Sequence, residues 1–444
     1  MEYNRTKYIE RLVERRQNGL IKVITGARRS GKSYLMNELF YRYLLTIGVP
    51  STNVIRFAFD MDEDIDLLES YLPDEETKLK QKNGVYYINA KKFRAYIKDR
   101  TNEKEIFYLL LDEVQLLDNF IGTLNGFLRH SNLDVYVTGS NSRFLSSDIA
   151  TEFKGRGTIV HVLPLSFSEY MQGQDISPQE AWKEYISTGG IPLVAQMNGK
   201  DEKISYLQSL CEETYLKDII AHNKIKKKNE LADTFNIIAS MIGSPVNISK
   251  LTNTFKSVMG KDITDDTIGN FIGYFEDAFV ISRACKYNIK GRKYIASPFK
   301  LYFEDIGVRN AILNFRQIEE THIMENIIYN ELRYRGYIVD IGEVNVSERT
   351  DRIDANGKAI YAKKALEVDF IASKGNEKYY IQSALSMDDA DKQLREKKSL
   401  YYIDDSFRKV IVAKTGLTPS YDEKGIMVMD LFDFLMGDTP LTYF

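Results

Sequence analysis

Eight residues near the start of the chain, Gly26-Ala27-Arg28-Arg29-Ser30-Gly31-Lys32-Ser33, fit the spacing G-x-x-x-x-G-K-[ST] at every fixed position. Glycines at the two ends of such a loop let the backbone turn tightly and aim its amides inward. The lysine reaches the β and γ phosphates of a nucleotide, and the hydroxyl ligates Mg²⁺. The chemistry implied is a phosphate cradle for ATP with Mg²⁺. Arg28 and Arg29 stand either near the phosphates or in solvent.

A second group supplies carboxylates. The run "EIFYLLLDEVQLL" ends its apolar stretch in Asp112-Glu113. Asp112 there holds the Mg²⁺ shell, and Glu113 orients or deprotonates an attacking water. A third run, "LDVYVTGSNS", places Ser140 and Asn141 where a γ-phosphate or water is within reach, although turns also favour these residues. Arg156 lies between two glycines before another strand. It is either an arginine finger, acting in cis or on a neighbouring copy, or a solvated turn residue.

These groups need elements to hold them. "LIKVITG" reads as a buried strand before the loop, and Ser33 to Leu45 has helical apolar spacing after it. Strands are expected at about 21–25, 53–59, 106–111, 134–138 and 159–163, mostly separated by helical stretches. That order predicts an α/β domain, a P-loop NTPase with a five-stranded parallel sheet and its chemistry at the strand ends. A long polar insertion, about 60–105, separates the second and third strands.

Composition bounds the rest. The 444 residues suggest two or three domains. With 60 basic and 63 acidic residues the net charge is -3, which argues against a general polyanion binder. The two cysteines, Cys211 and Cys285, form no disulfide framework and suit a reducing compartment. With no apolar leader and no run of 18 apolar residues, a cytoplasmic protein without a membrane span is expected.

Residues 165–227 read as a helical connection, and the stretch Asn223 to Asn229 at its end contains Lys224, Lys226, Lys227 and Lys228. Residues 228–310 read as three helices and a hairpin around Lys290-Gly291-Arg292, the pattern of a winged helix. Ser249 and Asp266 are the expected N-caps of its second and third helices. The third helix offers Asn270 but few basic residues, so protein contact competes with DNA contact.

The runs "GARRSGKS", "LLLDEVQ", "VTGSNSRFLSS", "GRGTIVHVLPLSFSEY", "TGGIPLV", "TYLKDIIAHN", "YFEDIGVRNAIL" and "ALEVDFIA" resemble prokaryotic AAA-type ATPases carrying a C-terminal DUF4143 domain. The resemblance covers almost the whole chain. It implies an AAA-type P-loop ATPase domain over 1–164, a winged helix in the middle, and a restriction-endonuclease-like α/β fold over 311–444. It implies ATP binding and hydrolysis, carried by Lys32, Ser33, Asp112, Glu113, Asn141 and Arg156. A nuclease of that fold needs a strand-end Asp, then Glu-x-Lys on the next strand. Here Asp369 and the helix acid Glu325 are present. The paired strand, however, reads Gln382-Ser383-Ala384, and Glu367 cannot restore the lysine. The fold is therefore expected without the nuclease chemistry.

The function expected is an ATP-driven switch acting on an unknown protein partner. The alternatives are a DNA-associated ATPase and a nucleotide-gated interaction module with negligible turnover. Oligomerisation stays open.

Overall fold

The computed structural model describes residues 2–80, 86–139, 153, 155–353, 359–416 and 418–437. Five expected strands are present as β1 (Ile21–Thr25), β2 (Val54–Ala58), β5 (Phe107–Asp112), β6 (Leu133–Thr138) and β7 (Gly157–His161). They form one parallel sheet in the order β2-β5-β6-β1-β7. The polar insertion adds a small hairpin, β3 (Lys78–Lys80) and β4 (Tyr86–Ile88), and a helix over Ala90–Arg100. Asn89 caps that helix by accepting from Lys91 N at 2.9 Å.

Both faces of the parallel sheet are covered, which is why its strands read as continuous apolar runs. Val23, Phe57, Leu109 and Val137 face one cluster with Phe93, Tyr96 and Leu124. Ile24, Leu110 and Tyr136 face the other, under Tyr8 and Leu12 of helix Thr6–Glu14 and Leu35, Met36 and Phe40 of the helix after the loop. Residues Leu35–Phe40 of that helix take the wider π form. Tyr334, three hundred residues later, joins this second face, its ring 5.6 Å from that of Tyr8.

The remainder packs around a second sheet in the order β14-β15-β13-β12-β11-β10-β8-β9. Its strands are β8 (Ile281–Asn288), β9 (Lys293–Phe303), β10 (Ile338–Ile353), β11 (Ala359–Lys374), β12 (Glu377–Ala384), β13 (Arg408–Ala413), β14 (Ser420–Tyr421) and β15 (Met427–Asp430). The β8–β9 hairpin is not separate from the C-terminal strands. Lys286, Tyr287 and Asn288 pair in parallel with Ile341, Gly342 and Glu343 of β10. The sheet therefore runs across residue 310. One apolar cluster likewise extends from Leu165 through Phe235, Phe275 and Phe303 to Leu435.

Two expected caps are corrected. Asn247, not Ser249, caps helix Ile248–Val258, accepting from Lys250 N at 3.0 Å. Thr264, not Asp266, caps helix Asp265–Asp277, accepting from Thr267 N at 3.2 Å. In each case a preceding side chain takes the N3 amide first. Among the described residues no helix is long and apolar enough to cross a membrane.

Towards the end of β1 remote from the loop, Lys22 is buried against Asp134. Asp134 also accepts from Tyr136 Oη and Gln17 N, both at 3.0 Å. Lys22→Met leaves that carboxylate buried without its cation, at a cost of about 3–5 kcal/mol. The first thermal unfolding transition should fall in Lys22→Met and recover by more than half in Lys22→Met/Asp134→Asn.

Candidate functional site

The loop leaves β1 at Thr25 and enters the helix at Lys32. Gly26 has φ +142°, and a Cβ there would collide with the carbonyl oxygen of Val162, just past β7. Gly31 has φ +91° and Arg29 φ +68°. Only glycine takes the first two without strain. Ala27 and Ser30 are buried, and the Ser30 hydroxyl has no partner. Arg28 pairs with Asp218 of helix Lys217–Asn223, and its carbonyl accepts from Tyr215 Oη at 3.0 Å. Arg29 is exposed.

Lys32 is only 5% exposed. Its Nζ donates to the carbonyls of Gly26 and Ala27 at 3.0 and 2.9 Å. Burial pulls its ammonium down to about 8, and the charges of Glu113, Asp112 and Glu304 oppose the fall. The loop lysine and the strand-end acids, 80 positions apart, are thus brought together.

Asp112 ends β5, where the parallel register sets it beside β2 and β6. Its Oδ1 accepts from Thr138 Oγ1 at the end of β6 and from Glu113 N at 3.1 Å. Its Oδ2 accepts from Asn37 Nδ2 at 3.1 Å, and the Ser33 hydroxyl is near enough to the carboxylate to lower its pKa. Burial raises this carboxyl, the Thr138 and Ser33 hydrogen bonds lower it, and Glu113 raises it again; the net shift is upward. A hydroxyl and a carboxylate side by side are hard oxygen donors, and a cation would relieve the buried negative charge. The pair Ser33 and Asp112 therefore fits Mg²⁺. Glu113 has φ +51°, and its carboxylate accepts from the buried Gln115 amide.

Asn37, Thr138 and Gln115 as holders of the acids were not foreseen. Asn37 alone had a local signal, as the one amide among Leu35, Met36, Leu39 and Phe40 in its helix. Beside the loop, a cleft of about 260 Å³ is lined by residues including Tyr3, Arg5, Ser30, Tyr34, Leu165 and Pro192. Asn141 and Ser140 lie outside the described residues. Arg156 is exposed at the opposite end of the sheet, where its carbonyl accepts from Ile21 N at 2.9 Å. A five-residue strand puts about 16 Å between that end and the loop, so the cis reading of Arg156 is corrected.

The acids of the C-terminal sheet also meet. Lys300 of β9 lies 2.9 Å from Glu325 and 2.7 Å from Glu367. Tyr302 Oη donates to Glu325 at 2.6 Å, and Ser383 N donates to Asp369 Oδ2 at 2.8 Å. Lys286 extends the chain between Glu343 and Glu367, at 3.0 and 3.9 Å. Burial, then the charge of Glu325, raises Asp369 well above the usual carboxylate range. A lysine does reach these acids, but from β9 rather than from position 384.

Residues 18–171 match the AAA domain family, and residues 179–319 match a domain of unknown function, DUF8612. The first part is thus an AAA-type P-loop domain; the match beyond it is to DUF8612 and does not support the expected DUF4143 assignment. An uncharacterised protein of Haemophilus influenzae is 28% identical, with 98% of each chain covered. Another, of Methanocaldococcus jannaschii, is 26% identical, covering 88% of this chain and 84% of its own. The Aeropyrum pernix ORC2 protein, solved in ADPNP–ADP complexes, superposes at TM-score 0.35 with 12% identity, covering 71% of this chain and 92% of that one. The ORC1 protein of the same organism, solved with DNA, gives TM-score 0.28 with 12% identity, covering 70% and 92%. Superpositions that loose carry no argument about this chain.

The depressed lysine gives a pH signature. A bound polyphosphate raises the Lys32 pKa above its free value of about 8, so binding takes up a proton above that pH. Affinity for Mg·ATP should be insensitive to this group at pH 7 and weaken towards tenfold per pH unit above about 8.5. Titrating a fluorescent ATP analogue between pH 7 and 9.5 checks this. A flat profile would show that Lys32 stays charged in the free protein.

Proposed function

We propose that the chain is a Mg²⁺-dependent ATPase whose nucleotide state acts on a protein partner. The observation that carries this reading is the convergence of Lys32, Ser33, Asp112 and Glu113 at the ends of β1 and β5, parallel strands on either side of β6. Lys32 exchanges two backbone carbonyls for phosphate oxygens when nucleotide enters. The amides of residues 26–33 and the start of the helix receive the phosphates. Mg²⁺ neutralises phosphate charge there, with Ser33 and Asp112 as its holders. Asn37 and Thr138 keep Asp112 in place, and Glu113 orients or deprotonates the attacking water. The cleft beside Gly31, walled by Tyr3, Tyr34 and Pro192, is suited to the base. Asn141 is proposed to contact the γ-phosphate. Arg156 is proposed to act on a neighbouring copy, since its position favours an exposed contact.

The helices Lys228–Ser240, Ile248–Val258 and Asp265–Asp277 with the β8–β9 hairpin are proposed as a winged-helix-like module. The third helix opens with Asp265 and Asp266, a charge that favours a protein partner over DNA phosphate. The helix bearing Glu325 and strands β10 to β13 support a nuclease-like fold over the C-terminal part. Its acids already have Lys300 and a backbone amide as partners, so metal-dependent cleavage is not part of the proposal.

Lys32→Ala should weaken ATP binding by about ten- to a hundredfold, the loss of one charge-assisted phosphate contact. Glu113→Gln should retain ATP and slow its hydrolysis, and this trapped form is the bait for identifying the partner by mass spectrometry. Equal turnover in wild type and Glu113→Gln would remove Glu113 as the base.

The full chain with Mg²⁺ or Mn²⁺ should leave linear, nicked and single-stranded DNA intact. Cleavage that disappears in Asp369→Ala would overturn the inactive reading of the C-terminal site.

A further inference from the structure

Two motifs have no role in the phosphate chemistry above: Thr188-Gly189-Gly190-Ile191-Pro192, and Tyr302-Phe303-Glu304-Asp305 at the end of β9. They meet each other and the nucleotide loop. The backbone of Phe303 is fixed from both sides by one amide, since Asn326 Oδ1 accepts from Phe303 N at 2.7 Å and Nδ2 donates to Phe303 O at 2.8 Å. Asn330 donates to the carbonyls of Phe303 and Glu304 at 2.9 and 3.2 Å. Both amides belong to helix Glu320–Tyr334.

From this clamped segment two buried carboxylates diverge. Glu304, its side chain 2% exposed, accepts from Nε2 of His161 at 2.8 Å and from Arg333 at 3.2 Å. His161 ends β7, and its Nδ1 lies 3.1 Å from Oγ1 of Thr25, the residue immediately before Gly26. Nε2 thus faces Glu304 while Nδ1 meets the Thr25 hydroxyl, so one ring joins the two groups. The second oxygen of Glu304 has no hydrogen-bond partner. Asp305 accepts from Val308 N at 3.0 Å, capping helix Ile306–Ile312, and from Gly190 N at 2.7 Å. Gly189, with φ +74°, lies against Asp305, where a Cβ would collide with the carboxylate. Two residues on, Pro192 reaches the loop: its Cγ is 3.6 Å from where a Cβ on Gly31 would sit.

The C-terminal half thus touches the loop at both ends, through His161 and Thr25 before Gly26, and through Pro192 beside Gly31. Burial, opposed by the charges of His161 and Arg333, leaves the Glu304 carboxyl below its usual range, so it is an anion facing the site. Its field reaches Lys32.

We infer that Glu304 is a positioning residue of the nucleotide site, and that it transmits nucleotide occupancy to helix Glu320–Tyr334. This rests on the ATP-site reading proposed above. When phosphates draw Lys32 from the carbonyls of Gly26 and Ala27, the loop must rearrange around Thr25. His161 follows Thr25, and Glu304 follows His161 while Arg333 and Asn330 tie it to the helix. The same helix carries Glu325 into the C-terminal ionic cluster, so the signal ends there.

The test uses the full-length protein and a fluorescent ATP analogue with Mg²⁺. Wild type, His161→Ala, Glu304→Gln and the double variant are compared for binding, and their nucleotide-free melting temperatures record any general damage. Hydrogen exchange of residues 320–334 is followed with and without nucleotide. Wild type should show exchange in that helix slowed at least about fivefold by nucleotide. Each single variant should weaken binding about five- to tenfold, with the double variant no weaker than the worse single. The nucleotide-dependent protection should vanish in Glu304→Gln. Glu304→Asp, which keeps the charge, should restore part of it. Additive losses in binding, or protection that persists in Glu304→Gln, would overturn the inference. If Glu304→Gln does not fold, wild type decides: binding without protection in 320–334 overturns it. Failure of wild type to bind nucleotide at all would instead bring down the ATP-site reading, and this inference with it.

Discussion

An ammonium ion buried beside a parallel sheet is the constraint around which this molecule is arranged. Away from water, Lys32 needs oxygen on every side. The loop supplies two carbonyls, and Asp112, Glu113 and Glu304 supply the opposing field. The carboxylates are in turn costly to bury and need donors of their own. Thr138, Asn37 and Ser33 serve Asp112, Gln115 serves Glu113, and His161 with Arg333 serves Glu304. Charge satisfaction spreads outward from one lysine until it includes a helix three hundred residues away.

The same logic explains the C-terminal sheet. Carboxylates from helix Glu320–Tyr334, β10 and β11 approach one another closely enough to repel. Lys300 and Lys286 alternate with them along a line from Glu343 to Glu325. Burial would lower the Lys300 ammonium, but Glu325, Asp369 and Glu367 together hold it above its ordinary value. An internal cation thus does for these acids what a metal ion does elsewhere. Gln382 and Ala384, on either side of the Ser383 amide that serves Asp369, add no charge to this cluster.

What was legible in the sequence was local. The buried strands of the first sheet announced themselves because both faces are covered, leaving apolar runs bounded by turns. The loop was legible because the backbone at Gly26 and Gly31 leaves little other choice. The caps slipped because Asn247 and Thr264 precede equally good candidates by two residues, and only geometry decides which oxygen meets the N3 amide. Contacts between distant segments left no trace in spacing. Nothing in "SPFKLYFED" says that Lys300 will meet Glu325 and Glu367 or that Glu304 will meet His161. The position of Arg156 at the remote end of the sheet follows from strand direction, which its neighbouring glycines do not encode.

The apolar cluster that runs unbroken from Leu165 to Leu435, with a sheet crossing residue 310, has a consequence for inheritance. A chain divided inside that stretch loses half of a shared core and exposes an unpaired strand edge at β8 or β10. Recombination that joins a foreign segment there is penalised at once by misfolding. The region from Leu165 onward is therefore expected to be inherited as a block, its order of parts tied to one shared core.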